Sequence, residues 1–506
     1  NNMSIGSILL FLALLLSTIE CALVLMQIFK GRNDYNKIST WLTAITGSII
    51  LLSVLYLGFC FITSDFRFTY VYSNSSLSLP FIYKITALWA GQEGSFLLWL
   101  SILCIVEMIA LRIEKDDQVI LNLATVITRI FILTALIIKS PFELIWTTYP
   151  QLSGMVPVDG VGMNPLLQDF WMIAHPPVLY LGYATAVVPF AYGLLSLLKG
   201  NSTLLIERGY RWVLVSFVSL GVGIFMGGYW AYKVLGWGGY YGWDPVENSS
   251  LVPWLVVTAL LHGLIIQKRS GALARTNILL SLTYFTLIFL SFFLTRSGVL
   301  SNFSVHSFGD QGLSFYLLAF VLFYLFTAII VFIVKFQTIE SRALSPGLWN
   351  SSSGTALGLL LLTIFSVFVL MGTVLPLITG FILANPVTAD TDFYNSVAMV
   401  FGPSLAMAMV IATVPSPKNL KNSIPFILLV LLSLAGGITM MVFSSSGAGF
   451  YVVAVTSLLL VLSNVRDVIV LRSATIIPSR LAHIGVGVLL LGIVISESYS
   501  SASQDR

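Results

Sequence analysis

The chain has 506 residues, of which 57% are hydrophobic and 9% charged. An apolar excess of this size is more than one soluble core can bury, so we predict an integral membrane protein and exclude a soluble globular enzyme. Lysine and arginine number 25 against 21 for aspartate and glutamate, and so small a balance excludes a nucleic-acid-binding surface. Cys21, Cys60 and Cys104 lie in apolar runs without a CxxC pair, which excludes a disulfide framework or a thiolate metal site.

Many apolar runs are long enough to cross a bilayer as helices, which takes about 20 residues. The first run is longer than a signal-peptide core and lacks a small-residue cleavage pattern, so we interpret it as a retained span. Fourteen spans are predicted, at about residues 5–29, 40–63, 95–112, 118–138, 172–196, 212–228, 249–267, 276–295, 314–334, 355–380, 397–413, 424–443, 447–463 and 481–496. The fold class is therefore an all-α polytopic membrane protein, with residues 1–506 in a single transmembrane domain.

The basic residues predict the orientation of these spans. Of the 25 lysines and arginines, 18 fall in one set of alternate loops and 6 in the other, while Arg129 lies within a span. Because short cytoplasmic loops retain lysine and arginine, this asymmetry places both termini outside. The long loops, at about residues 64–94, 139–170, 229–248 and 296–313, are then external and are the expected place for binding chemistry.

The four histidines fall at two levels of this topology. His175 lies near the outer end of the fifth span and His306 in an outer loop, whereas His262 and His483 lie at a similar depth in the seventh and fourteenth spans. Intramembrane ionisable groups are costly to retain, so the buried pair favours ligation of one cofactor, for which haem suits neutral imidazoles. The alternatives stay open: the buried histidines as packing residues bonded to neighbouring helices, and the outer pair as ordinary loop residues.

An aromatic segment, residues 227–254, is predicted to form an external loop between the sixth and seventh spans. It contains Trp230, Trp237, Trp243, Trp254, Tyr229, Tyr232, Tyr240 and Tyr241. This density exceeds what interfacial anchoring requires and offers stacking faces for a planar ligand.

Glycines and polar residues complete this segment. Gly238, Gly239 and Gly242 allow tight turns or close approach to a flat ligand, while Asp244, Glu247 and Asn248 supply polar contacts. Such a surface is complementary to an amphipathic planar ligand whose metal His175 and His306 could hold. The competing interpretation of Asp244 and Glu247 is that they cap the following helix.

The segment WGGYYGWDPVEN, residues 237–248, resembles the tryptophan-rich WWD signature of haem-handling proteins. Its VEN ending is similar to CcmF, the haem lyase subunit of system I cytochrome c maturation, rather than to the CcsA branch. Further similar segments are LWAGQEGSFLLW (88–99), GMNPLLQDFWMIAHPPVLYLGY (162–183), TRSG (295–298), SVHSF (304–308) and the AHIGV run around His483. The matches extend from about residue 88 to 487.

The resemblance implies roles for specific residues. His175 and His306 match the external histidines that ligate the haem substrate, and His262 and His483 match the pair that ligates an internal haem b. The implied haem-binding loop comprises Trp230, Trp237, Gly238, Gly239, Tyr240, Tyr241, Trp243, Asp244, Pro245, Glu247 and Asn248.

The resemblance also implies partners and a reaction. Haem arrives on a CcmE-type chaperone and is attached through thioethers to the CxxCH cysteines of apocytochrome c, with CcmH-type proteins as partners. The hypothesis is that the external histidines hold the iron while the loop clamps the ring, and that the internal haem b passes an electron outward from a quinol. The implied location is a prokaryotic plasma membrane with the active face outside, or else a mitochondrial inner membrane.

Several positions depart from the family pattern. Tyr240 and Tyr241 stand where tryptophan is usual, Gln92 stands where a histidine is often found, and the stretch from Gly298 to His306 is about two residues longer. The family's later external domain and final span are also predicted to be missing. Two other functions remain as alternatives: a transmembrane haem transporter or exporter, and a b-type electron-transfer protein.

Overall fold

The computed structural model describes residues 3–30, 36–114, 118–235, 241–300, 312–344, 350–380, 382–383, 385–413, 420–443 and 448–504. Within this part of the chain the regular structure is helical, and extended pairing is limited to two isolated bridges. Thirteen of the helices described are long and apolar enough to cross a membrane, and a further apolar helical stretch covers Phe426–Met440. The prediction of an all-α polytopic membrane protein is confirmed, whereas the sidedness of the termini and loops stays a prediction.

Eighteen α-helices fall within the described residues. The first nine are α1 Ile5–Lys30, α2 Asn36–Ile62, α3 Thr69–Asn74, α4 Phe81–Thr86, α5 Gln92–Ile113, α6 Val119–Ile138, α7 Ile145–Thr148, α8 Phe170–Thr185 and α9 Val187–Lys199. The others are α10 Tyr210–Leu235, α11 Pro245–Ser270, α12 Ala274–Arg296, α13 Ser314–Lys335, α14 Ser351–Gly380, α15 Thr391–Thr413, α16 Leu420–Phe443, α17 Ala448–Leu471 and α18 Ile477–Gln504.

Each of the fourteen predicted spans lies on this set of helices, with one difference in the fifth. That span consists of two helices, because α8 ends at Thr185 and α9 begins at Val187. Pro189 has no N–H to donate to the carbonyl of Thr185, so the helical hydrogen-bond ladder is interrupted there.

The chain divides into two compact units. Unit 1 comprises Asn1–Val257 and Arg275–Glu340, and unit 2 comprises Thr258–Ala274 and Ser341–Arg506. The boundary falls within α11, whose first half belongs to unit 1 and second half to unit 2. The single-domain organisation stays a prediction.

An aromatic core holds α5, α8 and α12 together in unit 1. Trp99 is fully buried, and its ring lies 4.5 Å from that of Phe292 and 6.4 Å from that of Tyr180. Helix α10 packs closely on α8, since a Cβ added at Gly182 would lie 2.6 Å from Leu220 Cγ. This close approach fixes the face of α8 that carries His175.

Small residues allow similarly close packing in unit 2. Ala406, Val410, Leu459 and Leu460 form a buried cluster between α15 and α17. A Cβ at Gly487 of α18 would lie 2.6 Å from Val461 Cγ2 of α17. The helix that carries His483 is therefore held tightly against α17.

Candidate functional site

His175 lies in the first half of α8 and is held by the backbone of α10. Its Nδ1 is 2.7 Å from the carbonyl oxygen of Gly223. Because a carbonyl only accepts hydrogen bonds, this contact assigns the proton to Nδ1 and leaves the lone pair of the neutral imidazole on Nε2. Metal-bound imidazoles commonly have this orientation, in which the other ring nitrogen donates to a main-chain carbonyl.

Gly227, one turn further along α10, lies directly against the same imidazole. A Cβ added there would be 2.6 Å from His175 Cε1 and 2.9 Å from its Nδ1, so the site requires bare backbone at this position. The sequence analysis did not single out Gly223 and Gly227. Their GxxxG spacing, which is typical of closely packed membrane helices, is the signal that could have identified them.

Aromatic side chains lie at the start of α8 and at the end of α10. The rings of Trp171 and Tyr229 lie 4.9 Å apart in an edge-to-face contact, and Trp230 Nε1 donates to the carbonyl of Leu166 at 3.1 Å. Because α10 continues to Leu235, this first part of the aromatic segment is helical rather than a loop. Trp237, Gly238, Gly239 and Tyr240 lie outside the described residues, and so does His306.

Asp169 connects the start of α8 to the end of α10. Its carboxylate caps α8 by accepting from the Trp171 amide at 2.9 Å, and it accepts from Lys233 Nζ at 2.7 Å. Burial acts to raise the pKa of Asp169, but the hydrogen bonds from Lys233 and Trp171 outweigh it and hold that pKa below its ordinary value. The ion pair therefore supports the arrangement of the helix ends beside His175.

Replacing Asp169 with alanine or with asparagine is expected to distinguish the contribution of the helix cap to stability from that of the ion pair with Lys233. Asparagine keeps the cap, so Asp169→Ala should be less stable than Asp169→Asn by about 1 kcal/mol. Because the carboxyl pKa is depressed in the folded state, its ionic contribution is present above about pH 4 and is lost as the pH falls through the folded-state pKa. Thermal unfolding in detergent, followed by tryptophan fluorescence at several pH values, measures both differences. A wild-type advantage over Asp169→Asn that persists unchanged in acid would contradict this assignment.

The second part of the aromatic segment begins α11 through a capping box. Asp244 accepts from the Val246 amide at 2.8 Å, and the Glu247 carboxylate accepts from the amides of Gly242 at 2.9 Å and Asp244 at 3.4 Å. Together they satisfy amides at a helix start that have no intrahelical partner. The capping interpretation of Asp244 and Glu247 is thus the one seen in the structure.

Asn248 organises the residues just before this helix. Its Nδ2 donates to the carbonyl of Trp243 at 3.1 Å, and its Oδ1 accepts from the Tyr241 hydroxyl at 3.2 Å. Trp243 has a φ of 53°, which is the left-handed region that non-glycine residues rarely adopt. The rings of Tyr241 and Trp243 consequently meet edge to face at 5.0 Å. Asn248 thus holds Tyr241 and Trp243 in place through its side-chain hydrogen bonds.

Unit 2 brings His262 of α11 and His483 of α18 together. Their ring centroids lie 6.4 Å apart with the planes only 12° from parallel. His262 Nδ1 is 2.8 Å from the carbonyl of Thr258, one turn earlier, which assigns its lone pair to Nε2. His483 Nδ1 is buried without a hydrogen-bond partner in the part of the chain that the structure describes.

This pair has the spacing of two ligands on one ion. Two imidazoles bound at about 2 Å on opposite sides of a metal place their ring centroids roughly 6 Å apart. Among the described residues, no group of three or more histidines, cysteines, aspartates or glutamates is placed to hold a metal. Two neutral imidazoles are also the donors that serve as axial ligands in bis-histidine haem proteins.

Gln92, which stands where a histidine is often found in the family, makes a structural hydrogen bond. Its Nε2 donates to the carbonyl of Arg296 at 2.9 Å, and Arg296 donates to the Tyr180 hydroxyl at 2.8 Å. Gln92 therefore joins α5 to the end of α12.

Comparison with known proteins identifies the family. The family model for cytochrome C assembly protein matches residues 89–300. Cytochrome c-type biogenesis protein CcmF of Pseudomonas aeruginosa is 32% identical, with 98% of this chain and 78% of that protein covered. The chain belongs to the CcmF family.

Further comparisons agree with this membership. Escherichia coli CcmF is 33% identical to the chain, with 87% of the chain and 69% of that relative covered. A solved structure named Cytochrome c Heme Lyase CcmF has a TM-score of 0.77 at 22% identity, covering 98% of this chain and 77% of that one, and supports the fold. The resemblance found in the sequence is confirmed, and the chain is a membrane protein of a cytochrome c biogenesis family.

Proposed function

We propose that this chain is a haem lyase component that attaches haem covalently to apocytochrome c. It receives haem as substrate from a CcmE-type chaperone, with CcmH-type proteins as further partners, at the outer face of a bacterial inner membrane. CcmF family membership supports this proposal, as does the name haem lyase carried by the structural relative.

The substrate site is proposed to contain His175 and His306 as the ligands of the haem iron. Three observations near His175 support it: the Nδ1 contact with Gly223, the bare backbone at Gly227 and the aromatic pair of Trp171 and Tyr229. Asn248 and the α11 capping box then hold Tyr241 and Trp243 as part of the loop that contacts the porphyrin. The role of His306 rests on its sequence match alone.

Each thioether forms by addition of a cysteine thiol across a haem vinyl group. The sulfur bonds to the vinyl carbon next to the ring, the thiol hydrogen ends on the outer carbon, and the double bond becomes single. No electron is exchanged in the addition itself, so the contribution of the protein is to orient the ring against the CxxCH peptide.

The internal site is proposed to hold a haem b between His262 and His483, and their ring geometry is the observation that carries this assignment. The bond from His262 Nδ1 to a main-chain carbonyl orients the ring and increases the basicity of Nε2. When bound, such a haem supplies one-electron redox chemistry, with a quinol as the electron source.

A maturation assay tests the proposal. The chain and its His175→Ala variant are expressed with the partner proteins of its host in a strain lacking CcmF, and haem bound covalently to a CxxCH reporter is measured by in-gel peroxidase staining. Wild type should give the holocytochrome, and His175→Ala should lower the amount of covalently bound haem at least tenfold. Even the loss of a residue that supports a metal ligand typically costs tenfold or more. Glu114→Gln, whose carboxylate pairs with Arg208 away from the histidines, serves as the control.

The assay also distinguishes the alternative functions. External haem without thioether formation would indicate a transporter, and an unchanged reporter with a haem b spectrum would indicate an electron-transfer protein. Either result would contradict the lyase proposal.

A further inference from the structure

A charged cluster is buried where α6 packs against α1 and α5 in unit 1. Arg129 Nη1 donates to Glu107 Oε2 at 2.7 Å, and its Nη2 donates to Glu20 Oε2. All three side chains have 0% exposure. Arg129 lies near the middle of α6, which has 20 residues, so the cluster lies within the apolar length of the helices and not at a membrane surface.

The charges of this cluster do not balance if every group is ionised. Arginine keeps its proton in proteins, so two carboxylates and one guanidinium leave one negative charge. The neighbouring titratable groups, the Cys21 and Cys104 thiols, carry no charge when protonated. An unbalanced charge in an apolar interior is strongly unfavourable.

Hydroxyl groups next to the carboxylates accommodate either protonation state. Thr43 Oγ1 lies 2.5 Å from Glu20 Oε1, and Thr125 Oγ1 lies 2.6 Å from Glu107 Oε1. Each hydroxyl is also 3.1 Å from the main-chain carbonyl four residues earlier in its own helix. It can therefore donate to an ionised carboxylate, or donate to that carbonyl and accept from a protonated carboxyl.

Asn122 shows that the network lacks hydrogen-bond donors. Its Nδ2 donates to Ser39 Oγ at 2.6 Å, and Ser39 donates to Glu20 Oε1 at 3.3 Å. Asn122 is 7% exposed, and within the described residues its Oδ1 is buried without a partner. A buried acceptor without a donor is costly, so this side of the cluster lacks a hydrogen-bond donor and has no need of another acceptor.

We propose that Glu20, Arg129 and Glu107 form a site that binds one proton, shared between the two carboxyl groups inside the membrane-spanning helices. With the proton bound, the cluster is neutral and keeps its hydrogen bonds. The proton is taken up from the medium and its release restores the negative charge. This site is separate from the histidine sites and does not depend on the lyase proposal.

Infrared spectroscopy of the full chain in lipid nanodiscs tests the proposal, because a protonated carboxyl has a carbonyl stretch that a carboxylate lacks. Wild type should show this band near neutral pH, shifted in D₂O. Glu20→Gln and Glu107→Gln should each remove one protonated carboxyl, since the remaining carboxylate forms a neutral pair with Arg129. Glu114→Gln is the matched control and should leave the band unchanged.

The spectra of the Glu20→Gln and Glu107→Gln variants can also contradict the proposal. Wild-type-minus-variant spectra without a lost carboxyl band would show that both carboxylates are ionised. Loss of the band in one variant alone would mean that a protonated carboxyl persists beside Arg129 in the other variant, which contradicts the charge balance on which the proposal rests. If a glutamine variant fails to fold, Thr125→Val provides the second measurement: it removes the hydroxyl beside Glu107 and should shift the band in an intact protein, and an unshifted band would overturn the proposal.

Discussion

Replacing His262 with alanine is expected to remove most of the b-type haem from the purified protein, while His175→Ala retains it. The two rings in unit 2 have the spacing of paired axial ligands, so under the proposed ligation the removal of one would leave the haem iron with a single protein ligand. Reduced-minus-oxidised and pyridine haemochrome spectra, recorded in mild detergent after expression with ample haem, measure the content. A loss of most of the bound haem is expected, and His483→Ala should behave in the same way.

Thr258→Ser is the matched control for this experiment. Thr258 contributes its main-chain carbonyl to the His262 hydrogen bond, and serine leaves that carbonyl in place. Full b-type haem in the His262 variant would contradict bis-histidine ligation. If the wild-type protein contained no b-type haem, the internal cofactor would have to be removed from the proposed mechanism.

Replacing Gly227 with alanine is expected to lower cytochrome c maturation about tenfold or more, the effect typical of disturbing a ligand's supporting shell. The added Cβ would lie 2.6 Å from His175 Cε1, so either the imidazole or α10 must move. Covalent haem on the reporter cytochrome measures the loss. The b-type spectrum from His262 and His483 should stay unchanged, because the substitution lies in unit 1.

Gly492→Ala provides the control for a new methyl group in a membrane helix. A Cβ at Gly492 meets no heavy atom within 4 Å in the described structure, so maturation should remain at the wild-type level. Equal activity of the Gly227 and Gly492 variants would show that the close contact with His175 does not matter for the reaction.

The helices were largely predictable because a membrane requires about 20 apolar residues per span. The interruption between α8 and α9 was not predicted, since both sides of Pro189 are equally apolar. The aromatic segment was predicted as one loop because most of it lies between the apolar runs at about 212–228 and 249–267. The structure continues α10 to Leu235 and begins α11 at Pro245, where packing and capping outweigh local preference.

The candidate site was only partly predictable for a related reason. Counting residues along two helices placed His262 and His483 at one depth, because helical rise is constant. The contact of His175 with Gly223 depends on how α8 and α10 are rotated about their axes, which residue counting does not give. Likewise, Arg129 was noticed within a span, but its partners Glu20 and Glu107 come from two other helices, α1 and α5, whose packing against α6 the sequence does not show.

Helix α11 carries His262 and ends eight residues later at Ser270, and both residues belong to unit 2. Successive residues of an α-helix are rotated by about 100° around its axis. An insertion or deletion of one residue between His262 and Ser270 would therefore rotate the imidazole relative to the end of the helix and turn it away from His483, while leaving every side chain chemically intact. The number of residues between these two points is thus itself a structural requirement, because no single amino-acid substitution can compensate for an insertion or deletion there.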